Sequence, residues 1–204
     1  METVNPTAQA AASKIAIARS VDQILEALGL PTDDENFRDT PNRVSRYFLE
    51  LCEAHLYPER VKSILKVGFP SEYDGMIVVP DVYVVSLCPH HLLPVEALIS
   101  FAYIPGEFVV GLSKIPRFLQ FLARQPILQE DLTQRIVSTF EEYVKPKGVA
   151  VIVNGSHSCV RVRGIQSDSP TITSSLSGPF MKDPATRAEF LSLTNESHNH
   201  RTGR

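Results

Sequence analysis

Ile15, Ala18, Val21, Ile24, Leu25 and Leu28 recur at the spacing of a helix with one buried face, which predicts a helix over 14–30 that stops at Gly29. Residues 31–39 are polar and read as a loop. Thr40-Pro41 then offers a capping hydroxyl followed by proline at the first helical position, opening a helix expected to bury Val44, Tyr47, Phe48 and Leu51. Cys52 continues that stripe and is expected in the core. Beyond residue 70 the pattern changes. Residues 76–87 are rich in Val and Tyr, and 97–104 alternate small and large apolar side chains, so both predict strands. Pro105-Gly106 predicts a turn and 108–112 a returning strand. Two helices are predicted next: 114–124 around Phe118, Leu119 and Leu122, and 129–144 around Leu132, Ile136, Val137 and Phe140. Residues 149–153 and 159–162 read as a further strand pair, 171–176 as a hydroxyl-rich extended piece, and Asp183-Pro184 as the start of a last helix through Leu193.

Two helices, a hairpin, two helices, a hairpin and a final helix make an α+β chain with antiparallel strands and no βαβ alternation. Residues 1–13 and 194–204 read as disordered tails, with His198 and His200 solvated, flanking a helical region over 14–70 and a larger domain over 71–193.

Composition narrows the function. The 204 residues are 43% hydrophobic and 21% charged with a net charge of −3, which excludes wholesale disorder. No apolar run approaches the roughly 18 residues that cross a bilayer. Glu2 near the start and the absence of a basic-then-apolar run predict no secretory signal and a cytoplasmic protein. Without a basic excess, nucleic acid is not the expected partner, although a local basic pocket for a small anion remains open. Three cysteines, Cys52, Cys88 and Cys159, are too few and too odd in number for a disulfide framework.

The chemistry-bearing segment is Ser86-Leu87-Cys88-Pro89-His90-His91, where a thiol and two imidazoles crowd the end of an apolar strand. Cys88 and His91 have the short spacing that lets one turn aim two ligands at a metal. The best further ligand is Cys159, 68 residues after His91, in Ser156-His157-Ser158-Cys159. Two thiolates and one imidazole would hold zinc with its fourth tetrahedral position open, the catalytic pattern. Spacing alone leaves another reading, in which both cysteines are buried strand residues and the histidines are satisfied polar groups. A second cluster is basic: Ser113 at a predicted helix start with Lys114 and Arg117 on one side makes an anion site. Arg161 and Arg163 would project from one strand face, and Arg43 lies in the first turn of the second helix; singly, each arginine also reads as a solvated charge. Gln129-Glu130 at the start of the long helix could read the donor edge of guanine, or simply complement the helix dipole.

With these residues in order, the chain resembles the GTP cyclohydrolase I family of the tunnelling-fold superfamily. The resemblance runs from Asp39-Thr40-Pro41-Asn42-Arg43-Val44 to Arg187-Ala188-Glu189-Phe190-Leu191 and includes Tyr103-Ile104-Pro105, His157-Ser158-Cys159 and Arg163-Gly164. It implies a tunnelling fold (T-fold), an antiparallel sheet with helices packed on one side and an N-terminal helical extension, residues 71–193 forming the catalytic domain. It implies Cys88, His91 and Cys159 as zinc ligands, and His90 and His157 as proton-transfer residues. Gln129 and Glu130 would hold guanine beside Ser113, and Lys114, Arg117, Arg163 and Arg43 the triphosphate. It further implies a decamer of two pentamers with sites at subunit boundaries. The reaction implied is hydrolysis of GTP to formate and 7,8-dihydroneopterin triphosphate, the first step of pterin and tetrahydrofolate biosynthesis. In one respect the chain departs from the family: Pro89 stands where a Glu is usual, removing a carboxylate and a backbone N–H beside the ligands. That leaves two alternatives, a homologue with an altered outcome (ring opening only, or a related purine nucleotide) and a non-catalytic nucleotide- or pterin-binding homologue.

Overall fold

The computed structural model describes residues 6–66 and 68–202, with side chains described at 10–66 and 68–195. It divides into two compact units, up to Glu53 and from Ala54 onward. The first contains α1 (Pro6–Ala27) and α2 (Thr40–Leu51). α1 begins eight residues before Lys14, so the part of the expected tail that is described is helical; residues 1–5 lie outside the described residues. Gly29 at φ +68 closes its C-terminus, with the Gly29 and Leu30 N–H groups donating to Glu26 O and Leu25 O. At α2 the cap differs from expectation: Asp39 is the N-cap and the Thr40 hydroxyl donates back to Asn36 O. Val44, Tyr47, Phe48, Leu51 and Cys52 are half-buried within this unit rather than core; the one fully buried residue of α2 is Ser45.

The second unit comprises α3 (Glu53–Leu56, which starts on the last residue of the first), α4 (Arg60–Leu65), β1 (Gly68–Pro70), β2 (Ile77–Leu87), β3 (Pro94–Ile104), β4 (Phe108–Val110), α5 (Lys114–Ala123), α6 (Gln129–Val144), β5 (Gly148–His157), α7 (Ser158–Arg161), β6 (Thr171–Leu176), α8 (Pro179–Lys182) and α9 (Pro184–Thr202). The sheet runs β2-β3-β5-β6, every neighbour antiparallel. β4 pairs with β1 in a separate two-stranded ribbon rather than returning along β3. The buried Tyr103 hydroxyl accepts the Val110 N–H at 2.9 Å, tying that ribbon to the sheet.

Strand alternation gives the sheet two dry faces. Ala97, Ile99, Phe101 and Tyr103 of β3 and Val149, Val151 and Val153 of β5 face α5 and α6. There Phe101, Tyr103, Phe118 and Phe140 form an aromatic cluster with centroids 4.8 to 6.4 Å apart. The α5/α6 covering is the expected one. In addition, α8 and α9 place Phe180 and Phe190 over Ala102, Ile104 and Ala150 on the opposite face. α9 runs nine residues past Leu193, so the second expected tail is helical over its described part; Gly203 and Arg204, and the side chains of His198 and His200, lie outside what is described. Among the described residues no helix is long and apolar enough to cross a membrane.

Asp183 starts α9: its carboxylate accepts the Thr186 hydroxyl and the Ala185 and Thr186 N–H groups. Those bonds, the Thr186 hydroxyl first, hold its pKa below the ordinary carboxylate value. A depressed pKa contributes stability above the unfolded-state value of about 3.9, lost as pH falls through the folded value. Asp183→Ala is therefore expected to lower the thermal midpoint at pH 7 and to differ less from wild type near pH 3. Thermal scans at both values check this; an equal deficit at both would exclude the charge as the cause.

Candidate metal centre

β2 ends on Leu87, fully buried, and the α5–α6 connection clamps it there. The Leu87 N–H donates to Gln125 O at 3.4 Å, the Ile127 N–H donates to Leu87 O at 3.1 Å, and the Ser86 hydroxyl donates to Gln125 O at 3.0 Å. Cys88 follows and opens a tight loop back to β3. Its N–H donates to Leu93 O at 2.9 Å, and its carbonyl accepts the Leu92 N–H at 2.8 Å, with Leu92 at φ +54. Six residues are thus folded so that Cys88 and His91 point together: Cys88 Sγ lies 3.7 Å from His91 Nδ1 and 3.8 Å from His90 Nδ1.

β5 brings the third donor. Its pairing with β3 ends at Val95↔His157, next to Pro94, which has no N–H to continue a ladder. The chain therefore turns into α7, with the Val162 N–H donating to Ser158 O at 3.0 Å, and presents Cys159 to Cys88. The expected strand over 159–162 is not formed; β5 pairs with β6 instead, so Arg161 and Arg163 do not share a strand face. Arg163 joins the cluster by another route, its guanidinium donating to His91 Nε2 at 2.9 Å. Arg161 lies against Ser156 and Asp168.

One donor atom each from Cys88, His91 and Cys159 lies within 4.8 Å of the others. Tetrahedral zinc with Zn–S near 2.3 Å and Zn–N near 2.0 Å separates its donors by about 3.5–3.8 Å, so a small contraction closes the shell. Burial, then the neighbouring Cys88 thiol, pushes the Cys159 thiol up. A divalent cation reverses that preference by binding thiolates and releasing their protons. The chemistry and spacing of the set fit a metal ion, and three protein donors leave a tetrahedral ion one open position.

His157, half-buried at the end of β5, faces Gln129, with Nε2 2.8 Å from Oε1. Gln129 is only 5% exposed, and its amide nitrogen reaches Val153 O, Thr171 O and Thr173 Oγ1 at 3.1, 2.9 and 3.1 Å. With both amide N–H groups so engaged, the expected guanine contact through this side chain is not left open; one position on, Glu130 is exposed. Ser113 is exposed at the N-cap of α5, and Lys114 and Arg117 in its first turn make no ion pair among the described residues. Arg43 belongs to the N-terminal unit, where it pairs with Asp39 at 3.1 Å. The residues missed in the sequence are Thr133, Thr173 and Gly155 around Gln129; the only signal was the hydroxyl-rich run over 171–176.

An antiparallel α+β domain with a Cys–His–Cys ligand set and two further imidazoles at one sheet end defines a candidate metalloenzyme. Residues 17–195 match the sequence model of GTP cyclohydrolase I. A GTP cyclohydrolase 1 of Campylobacter jejuni (strain RM1221) is 44% identical over 179 residues, 87% of this chain and 93% of that protein. Those of Rhodopirellula baltica and Thermoanaerobacter pseudethanolicus are 40% and 41% identical over 182 and 181 residues, 89% and 88% of this chain and 79% and 95% of theirs. The chain belongs to the GTP cyclohydrolase I family. Among solved structures, the archaeosine synthase QueF-Like in the apo form aligns with a TM-score of 0.43 at 19% identity, over 51% of this chain and 94% of that one.

Removing one of three donors leaves too few for tight binding. Cys159→Ala is expected to lose its divalent ion on dialysis where wild type keeps it, read as metal per chain by elemental analysis; wild-type content in the variant would remove Cys159 from the ligand set.

Proposed function

We propose that this protein is a zinc-dependent GTP cyclohydrolase that converts GTP and water to formate and 7,8-dihydroneopterin triphosphate. The observation that carries the reading is the convergence of Cys88, His91 and Cys159, from two chain segments, within 4.8 Å in a chain of this family. Zinc held by that set would supply the Lewis acidity that makes water reactive near neutral pH, with a pKa of about 7.

The chain's own residues do the rest. The exposed Glu130 carboxylate accepts the ring N–H and exocyclic amine of guanine, a charge-assisted pair that an adenine cannot make. Lys114 and Arg117, in the first turn of α5, take the triphosphate through their side chains, and Arg163 adds a cation beside His91. Anchoring the remote phosphates fixes C8 of the base against the ligand cluster. His157 and His90 move the protons: one goes to the imidazole nitrogen as its bond to C8 breaks, and others pass during formate release, ribose rearrangement and ring closure. Thiolate ligands require reduced cysteines, which supports a cytoplasmic location.

The assembly we propose is the ring-based decamer that the family resemblance implies. β6, and β2 before its clamped end at Leu87, have no partner strand on their outer edges among the described residues, with Ile172 and Tyr83 exposed, and such edges pair readily with another chain. The exposed Pro89 favours a second outcome, arrest after ring opening, because the carboxylate usual beside the ligands is missing.

Incubating the zinc-loaded protein with GTP separates these readings. Formate together with a fluorescent pterin after oxidation is the expected result. A ring-opened purine without pterin would mark the second outcome, and no turnover of any purine nucleotide would overturn the proposal. Glu130→Ala is expected to raise KM for GTP about tenfold or more, the loss of a charged hydrogen-bonded contact, and to erase the preference over ATP. An unchanged GTP-to-ATP ratio would take Glu130 out of the base pocket.

A further inference from the structure

Gln129 stands at the first position of α6, yet its side chain points inward into a closed hydrogen-bond ring. The Thr133 hydroxyl donates to Gln129 O at 2.7 Å, so it has no second proton to give. The 2.6 Å contact between the Thr133 and Thr173 hydroxyls is then donated by Thr173. Thr173, with its own proton committed, accepts from the Gln129 amide nitrogen. That nitrogen also faces Val153 O and Thr171 O, backbone carbonyls that only accept. Turning the amide over would set its oxygen against two carbonyl oxygens inside the protein, so the orientation is determined by the network. Its oxygen consequently faces His157 and can only accept. The proton between them belongs to His157 Nε2, at 2.8 Å.

We infer that Gln129 is a positioning residue that holds His157 as the Nε2–H tautomer, leaving the lone pair on Nδ1. On the proposed function, upon which this inference rests for its consequence, the proton transfer assigned to His157 takes place at Nδ1. The same logic gives Gly155 a role. A Cβ at that residue would overlap Gln129 Oε1 and push the amide off His157. Glycine is required there for close approach, not for backbone conformation. Gln129 and Glu130 therefore divide two tasks between adjacent positions, one inward toward the histidine and one outward toward ligand.

The test combines a spectrum with kinetics on the zinc-loaded protein. Histidine-selective nitrogen-15 NMR of wild type, with His157 assigned by its loss in His157→Gln, is expected to show a protonated Nε2 and an unprotonated Nδ1. In Gly155→Ala and Gln129→Leu that signature should shift toward a mixture of tautomers. In both variants kcat for GTP should fall by about 10- to 100-fold, as for other residues that orient a functional histidine, while KM stays within about two-fold, the split expected of a group that does not bind substrate. A neutral wild-type His157 with its proton on Nδ1 and none on Nε2 would overturn the inference, as would KM rising at constant kcat in Gln129→Leu. Should a variant not fold, the wild-type spectrum decides alone. Should wild type release no formate from GTP, the proposed function fails while the spectrum still decides the tautomer.

Discussion

The register between β3 and β5 carries the site. Ser86, Val95 and His157 stand in one row across β2, β3 and β5. Cys88 lies just beyond that row on one strand end and Cys159 just beyond it on another. A slip of one residue would turn His157 to the opposite face of the sheet. A slip of two would carry Cys159 about 6.6 Å along the strand, more than a zinc shell can absorb. The aromatic cluster under β3 and β5, with Phe101 and Phe140 fully buried, makes such slips expensive because every inward side chain would lose its place. Packing in the core is thus what fixes the geometry at the rim.

Polar order continues inward from the ligands. The ring through Gln129, Thr133 and Thr173 lies between α6 and β6, and it is satisfied throughout. A buried amide without partners would be destabilising by about 1–3 kcal/mol; with every donor placed, the same group specifies one arrangement. Through Val153 O and His157 Nε2, Gln129 also joins the helix that offers Glu130 to solvent with the strand that ends on His157. The loop from Cys88 to Leu93 is held just as firmly from the other side, by its own two backbone bonds and by the Gln125 clamp on β2.

Much of this was legible in the chain. The Cys88–His91 spacing and the distant Cys159 named the three donors that the fold brings together, and apolar periodicity located β2, α5 and α6. Alternation misread Val160 and Val162, because it reports side-chain pattern and not whether a partner strand is present; β3 has run out at Pro94, so the segment coils into α7. The same limit hid the pairing of β4 with β1. Gln129 and Glu130 look like one motif in sequence, but successive helical residues lie about 100° apart, and that rotation buries the first and exposes the second. The ring around Gln129 depends on a hydrogen bond to Thr173, 44 residues away, which no local pattern encodes.

The proposed reaction requires one divalent ion bound by two sulfurs and one nitrogen of a single chain. X-ray absorption at the metal edge of the purified protein tests that most directly. Two sulfur scatterers near 2.3 Å and one or two nitrogen or oxygen scatterers near 2.0 Å are predicted, at one ion per chain. A shell without sulfur, or with four sulfurs, would contradict it.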